Sequence, residues 1–118
     1  MKLLDTSVLI ENLRKGIFEP GAISVITLIE VLRGINQSKR SEVKKLLEES
    51  FEVLPISNQV ILKYCEIYDY LRQRGRIISD ADLLIAATAL VNNSSLVTKD
   101  FSFERIADVG LKLELRED

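Results

Sequence analysis

Histidine is absent from all 118 residues. Its absence excludes Ser-His-Asp triads, histidine acid–base catalysis and histidine-ligated metals together. A single cysteine, Cys65, can form neither an intramolecular disulfide nor a Cys-rich zinc site. No apolar run approaches the roughly 20 residues that span a bilayer. Met1-Lys2 leads straight into a short strand pattern, with no signal-peptide signature. The expectation is a cytoplasmic protein with no membrane contact. Basic residues are not in excess either. The net charge is -2, so the overall basic footprint of a nucleic-acid binder is missing. An acidic metal site would itself lower that count, and its ions would restore positive charge locally. Any catalysis has to run on carboxylates, hydroxyls, amines or a metal held by oxygen.

What is present is a foldable chain. Hydrophobic residues are 47% and charged residues 29%, enough for a packed core and against disorder. The length predicts one domain over 1–118. Residues 2–5 read as a short buried strand and 6–14 as a helix that Thr6 caps, ended by Gly16. After the Glu19-Pro20-Gly21 turn, 22–25 read as a second strand and 27–33 as a helix stopped by Gly34. Residues 38–40 form a polar connection. Ser41 caps a helix to Ser50, with Val43, Leu46 and Leu47 inward. Residues 51–56 are a third strand, at an edge because of Pro55. Ser57 opens the longest helix, striped by Val60, Ile61, Tyr64, Ile67, Tyr68 and Leu71, which stops before Gly75. Ser79 caps a helix whose residues 83–90 are apolar nearly all round, so it is buried. Residues 95–98 are a fourth strand, 103–107 a short helical turn and 111–115 an alternating edge strand. Strands alternating with helices predict a mostly parallel, three-layer α/β/α domain with right-handed crossovers.

Four acids sit at telling places in this pattern. Asp5 and Asp100 end predicted strands. Glu30 and Asp82 lie in the first turns of predicted helices. Each has an ordinary explanation. Asp5 suits a cap, and Asp100 a turn. Glu30 follows Thr27, and Asp82 follows Ser79, at capping-box spacing. Asp80 and Asp82 suit the positive end of a helix dipole. As a set they say more, because strand C-termini and the helix N-termini that follow them converge on one edge of a parallel sheet. Four carboxylates together are unfavourable without a cation. Hard oxygen donors select Mg²⁺ or Mn²⁺. Such a centre activates water and holds the oxygens of a phosphoryl displacement without histidine. The expectation is cleavage of a phosphodiester, in RNA.

The residues that carry this set also carry a resemblance. Leu3-Leu4-Asp5-Thr6-Ser7-Val8-Leu9-Ile10, residues 24–34 around Glu30, residues 78–90 around Asp82, and Leu96-Val97-Thr98-Lys99-Asp100 resemble the PIN-domain nucleases. The likeness is to the small VapC-type toxins of toxin–antitoxin pairs, and it covers nearly the whole chain in order and spacing. It implies a five-stranded parallel sheet of order 3-2-1-4-5, Mg²⁺-dependent endoribonuclease activity, a homodimer and a cognate antitoxin. It carries metal-ligand roles onto Asp5, Glu30, Asp82 and Asp100. Asp5 and Asp82 would hold the principal ion, with water attack leaving a 5′-phosphate. Ser7 and Thr98 match small polar positions that orient a ligand or water, and Asp80 is a further outer acid or a helix cap. One departure stands out: the family often has another Asp before the next Phe, and here that place is Ser102.

Arg72, Arg74 and Arg76 are candidate phosphate contacts, or cations at a solvated helix end. Lys99, beside Asp100, is within reach of a phosphate. Leu62 and Cys65 add apolar surface to the long helix, which suits an interface. Other functions fit less well. A phospho-accepting receiver domain needs paired acids after its first strand and an acceptor Asp after its third. Here Asp5 is followed by Thr6-Ser7, and the third strand ends in Pro55-Ile56-Ser57. A PIN-like binding module without catalysis would not need all four acids. An RNA-processing nuclease that is not a toxin shares every feature.

Overall fold

The computed structural model describes residues 1–117. Leu3 and Leu4 show why the chain layers as it does. Both are fully buried, yet on opposite faces of the first strand: Leu3 joins one core and Leu4 the other. A strand covered on both faces has no solvated side, so apolar residues run on instead of alternating. The same split recurs at Ala22 and Ile23 and at Leu96 and Val97.

Five parallel strands result, β1 (Lys2–Leu4), β2 (Ala22–Ser24), β3 (Glu52–Leu54), β4 (Ser95–Thr98) and β5 (Leu113–Leu115), in the order β3-β2-β1-β4-β5. Helices α1 (Thr6–Lys15), α2 (Val25–Arg33) and α3 (Arg40–Ser50) supply Val8, Leu9, Leu28, Val31 and Leu47 to the Leu4 face. Helices α4 (Asn58–Gln73) and α5 (Asp80–Val91), with the 3-10 segment Phe101–Val109, cover the Leu3 face. The all-round apolar helix is α5, whose Leu83, Ile85, Ala86, Ala87, Thr88 and Ala89 are buried. Each large aliphatic side chain buried this way contributes about 1.5–3 kcal/mol. Among the described residues no helix is long and apolar enough to cross a membrane.

The expected layers, strand order and edge strands are all present, with local corrections. Asp5, not Thr6, caps α1. Helix α2 begins at Val25 because Ser24 Oγ accepts the Thr27 N–H at 3.0 Å. Thr27 is therefore inside the helix, and Glu30 is in its second turn. Helix α3 begins at Arg40, after a 3-10 turn at Gln37–Lys39, so Ser41 is not its cap. Leu46 is 59% exposed, and on α4 Ile61 and Tyr68 are 48% and 44% exposed, so the inward stripes are narrower than the periodicity implied. The short helix near 103–107 is the longer 3-10 segment. The sequence did not reveal the ion pairs at the sheet ends, where Arg116 reaches Glu19 at 2.5 Å and Glu114 at 2.6 Å. Arg116 holds the Glu19 carboxyl below its usual range.

Gly21 opens β2 where the backbones of β1 and β2 approach. A Cβ there would lie 2.8 Å from the Lys2 carbonyl oxygen, while one at Gly34 would meet only Val31 O at 3.5 Å. Gly21→Ala is predicted to destabilise by about 1–3 kcal/mol. Gly34→Ala is predicted to be neutral or stabilising by up to about 1 kcal/mol. Urea unfolding of the two variants checks the contrast.

Candidate metal centre

Asp5 is the first residue beyond β1, and its N–H still donates to Val97 O at 2.9 Å, extending the sheet ladder. Its side chain is therefore set by backbone pairing. The residue is 5% exposed. One oxygen accepts the Thr6 N–H at 2.8 Å. The other accepts the Thr98 hydroxyl at 2.6 Å and the Ser7 hydroxyl at 3.4 Å. Thr98 is fully buried at the end of β4, and its Oγ1 also accepts the Asp100 N–H at 3.0 Å. One hydroxyl thus ties the acid of β1 to the acid after β4.

Glu30 arrives from α2. Thr6 Oγ1 donates to its carboxylate at 2.7 Å, and Thr27 Oγ1 lies 3.0 Å from Thr6 Oγ1. A hydroxyl has one proton, and Glu30 takes that of Thr6, so Thr27 donates to Thr6. Arg33 approaches Glu30 from outside at 3.7 Å. Asp82 stands in the first turn of α5, where its N–H is capped by Ser79 Oγ at 3.2 Å. Asp100 is exposed, and one of its oxygens caps Ser102 N–H at 2.9 Å.

Two of the four carboxyls, Asp5 and Asp82, are raised. Burial raises the Asp5 carboxyl above its ordinary value against the lowering effect of Thr98 and Thr6, and the charges of Asp100 and Glu30 add to the rise. Burial raises Asp82 too, followed by the charges of Asp5, Asp100 and Glu30. Among the described residues no group of three acids or cysteines is gathered tightly enough to grip an ion unaided. Glu30 leans on Thr6 and Arg33, and Asp100 on Ser102. The donor set fits a hard divalent cation: carboxylates and hydroxyls, with neither imidazole nor thiolate.

Two threonines, Thr6 and Thr27, are site residues that sequence reasoning missed as a pair. The available signal was a hydroxyl directly after Asp5 and another one turn before Glu30. Asp80, a candidate outer acid, instead accepts the Tyr64 hydroxyl at 2.6 Å and is exposed. Of the arginine cluster, Arg74 lies over the Tyr70 ring at 3.7 Å and Arg72 over Tyr68 at 6.0 Å. Lys99 pairs with Glu11 of α1. Lys15 and Lys99 hold the Glu11 carboxyl down at about 2.

Comparison with known proteins places this geometry. The PIN domain family profile matches residues 2–109. Ribonuclease VapC1 of Methanocaldococcus jannaschii is 43% identical over 115 residues, 94% of this chain and 85% of that one. The structure of VapBC-1 from nontypeable Haemophilus influenzae aligns with a TM-score of 0.81 at 29% identity, over 97% of this chain and 96% of that chain. VapBC2 from Rickettsia felis, solved bound to a DNA fragment from their promoter, aligns at 0.82 and 27% identity, over 98% of both chains.

The raised carboxyls set the pH response of the metal-free chain. A folded-state value above the unfolded one means that the fold binds the proton more tightly. Stability then falls as pH rises from near 3.8 through the raised Asp82 value, and stays low above it. Asp82→Asn is predicted to raise the melting temperature in EDTA at neutral pH by a few degrees, and to lose that advantage near pH 3. Thermal unfolding across pH measures it.

Proposed function

The chain belongs to the PIN-domain family, on its VapC-type branch, and from that premise we propose that it is a divalent-metal-dependent endoribonuclease, the toxin of a toxin–antitoxin pair. The observation that supports the reading is that Asp5, Glu30, Asp82 and Asp100 lie toward one sheet edge, where the charges of Glu30 and Asp100 reach Asp5 and Asp82. Asp5 and Asp82 would hold the principal Mg²⁺ or Mn²⁺, with Glu30 and Asp100 completing the shell directly or through water. When bound, the ion supplies an activated water at neutral pH and positive charge for the phosphoryl oxygens.

The chain's own residues prepare that site. Thr98 and the Thr6 N–H hold both Asp5 oxygens by donation, which favours the ionised form against burial. The Thr27–Thr6–Glu30 relay holds the Glu30 carboxylate beside Thr6, the residue that follows Asp5. Ser7 stands exposed at the mouth, hydrogen-bonded to Asp5, where it can meet substrate oxygen. Water attack on phosphorus leaves a 5′-phosphate. A 2′,3′-cyclic product would instead identify the RNA 2′-hydroxyl as the nucleophile.

Residues 1–118 act in this reading as one domain whose partners are an RNA substrate and a cognate antitoxin, which puts its work in the cytoplasm. Two of the solved structures it resembles are VapBC pairs. A homodimer is part of the same reading, with Ile61 and Leu62 exposed side by side on α4.

The test is cleavage of an end-labelled RNA pool with Mg²⁺ or with EDTA. Cleavage is predicted to require the ion. It is predicted to fall by more than about 100-fold in Asp5→Asn and Asp82→Asn, since loss even of an outer-shell partner typically costs about 10–100-fold. Activity that survives in either folded variant contradicts the reading. Metal-independent binding without cleavage would make the chain an inactive binding module.

A further inference from the structure

Helix α2 ends on Arg33, three residues after Glu30. The Arg33 guanidinium lies 3.7 Å from Glu30 Oε2. Among the described ion pairs, this is the one that includes any of the four site acids. The others fall on Glu11, Glu19, Glu48, Glu66 and Glu114.

Opposite charges at this spacing on a helix are an ordinary pair, and a cation suits the last turn of a helix. This pair differs in how the two carboxylate oxygens are held. Glu30 Oε1 accepts the Thr6 hydroxyl at 2.7 Å, from the residue that follows Asp5. The Arg33 contact to Oε2 is beyond hydrogen-bond length, and the Arg33 side chain is 72% exposed against 21% for Glu30. The acid is therefore fixed from the inside, while the guanidinium rests on it from the solvent side. An exposed pair of this kind costs little to open.

In the proposed reaction a cation and a polyanion have to enter the same place. Four carboxylates carry twice the charge of one divalent ion, so an RNA phosphate approaching the loaded centre still meets net negative charge. A guanidinium at the rim lessens that repulsion, and its planar fork of donors matches phosphate oxygens. While it rests on Glu30, the same guanidinium opposes the entry of another cation to that carboxylate.

We propose that Arg33 is a substrate-binding residue that exchanges partners. Without the ion it rests on Glu30; with the ion bound it gives up that carboxylate and contacts an RNA phosphate. The inference rests on the nuclease reading above and adds a residue to it.

The two halves of the exchange have opposite signs, which makes the test sharp. Mn²⁺ binding to the whole chain, without RNA, would be followed by loss of the free-ion electron paramagnetic resonance signal. Arg33→Gln is expected to tighten that binding about threefold, and by less at high salt. With Mg²⁺ saturating, the same substitution is expected to raise KM for RNA about tenfold while leaving kcat in place. The salt dependence of RNA affinity should flatten by about 0.7, the share of one phosphate contact. Arg33→Lys is expected to restore most of the KM. Lys44→Gln, which removes an exposed cation paired with Glu48 on α3, is expected to change none of these. Circular dichroism melting curves check that each variant is folded. Mn²⁺ affinity that is unchanged or weaker in Arg33→Gln overturns the proposal. So does an unchanged KM, which would leave Arg33 as a helix-end cation. If the unmodified chain cleaves RNA in either case, only the role of Arg33 has failed. If the unmodified chain neither binds Mn²⁺ nor cleaves RNA, the nuclease reading has failed and this inference with it.

Discussion

The hydrogen bond from the Thr98 hydroxyl to Asp5 is where sheet and site become one object. β1 and β4 are paired in register, Leu4 against Val97. The next residue on each strand places Asp5 beside Thr98 at 2.6 Å. The acid is thus positioned by backbone pairing in the middle of a five-stranded sheet, where no loop motion can displace it. Thr98 also receives the Asp100 N–H, so the turn after β4 is set by the same hydroxyl. The other two acids are brought in by helices that begin at this edge, Asp82 under the Ser79 cap and Glu30 through Thr6 and Thr27.

This arrangement works against the stability of the empty fold. Asp5 is buried and Asp82 half-buried; burial raises the cost of charge on both, and the charge of Asp5 raises it further on Asp82. Left alone, a fold would relieve the strain with a neutral side chain. Here the hydroxyl and amide donors around Asp5 favour its charged form instead, and in the proposed function a divalent cation would offset the carboxylates. The site is a place where local stability is traded for chemistry.

Much of this was legible in the sequence, for identifiable reasons. The strand–helix alternation and the abrupt stops at Asp5 and Asp100 foretold a parallel sheet and its edge, because covered strands read as apolar runs and active groups follow them. The four acids stood out through position and through resemblance together, and their joint role belongs to the proposed function. Helix starts were less so. Ser24 outcompeted Thr27 as a cap because the strand delivers Ser24 already in extended backbone, which a cap requires. The inward places expected for Leu46, Ile61 and Tyr68 failed because a helix at the outer layer buries only a narrow stripe. The Thr6–Thr27–Glu30 relay and the Glu11–Lys99 pair were not legible, since each joins residues distant in sequence through a geometry that only the packed helices create.

The central claim is that burial and neighbouring carboxylates make charge costly at Asp5 and Asp82, and that in the proposed function a divalent ion offsets that cost. The most direct measurement is a titration of their carboxyl carbons by NMR, in EDTA and with saturating Mg²⁺. The account predicts that both titrate above the ordinary value of 3.8 without metal and well below it when Mg²⁺ is bound. Ordinary values in EDTA that Mg²⁺ does not move would contradict it.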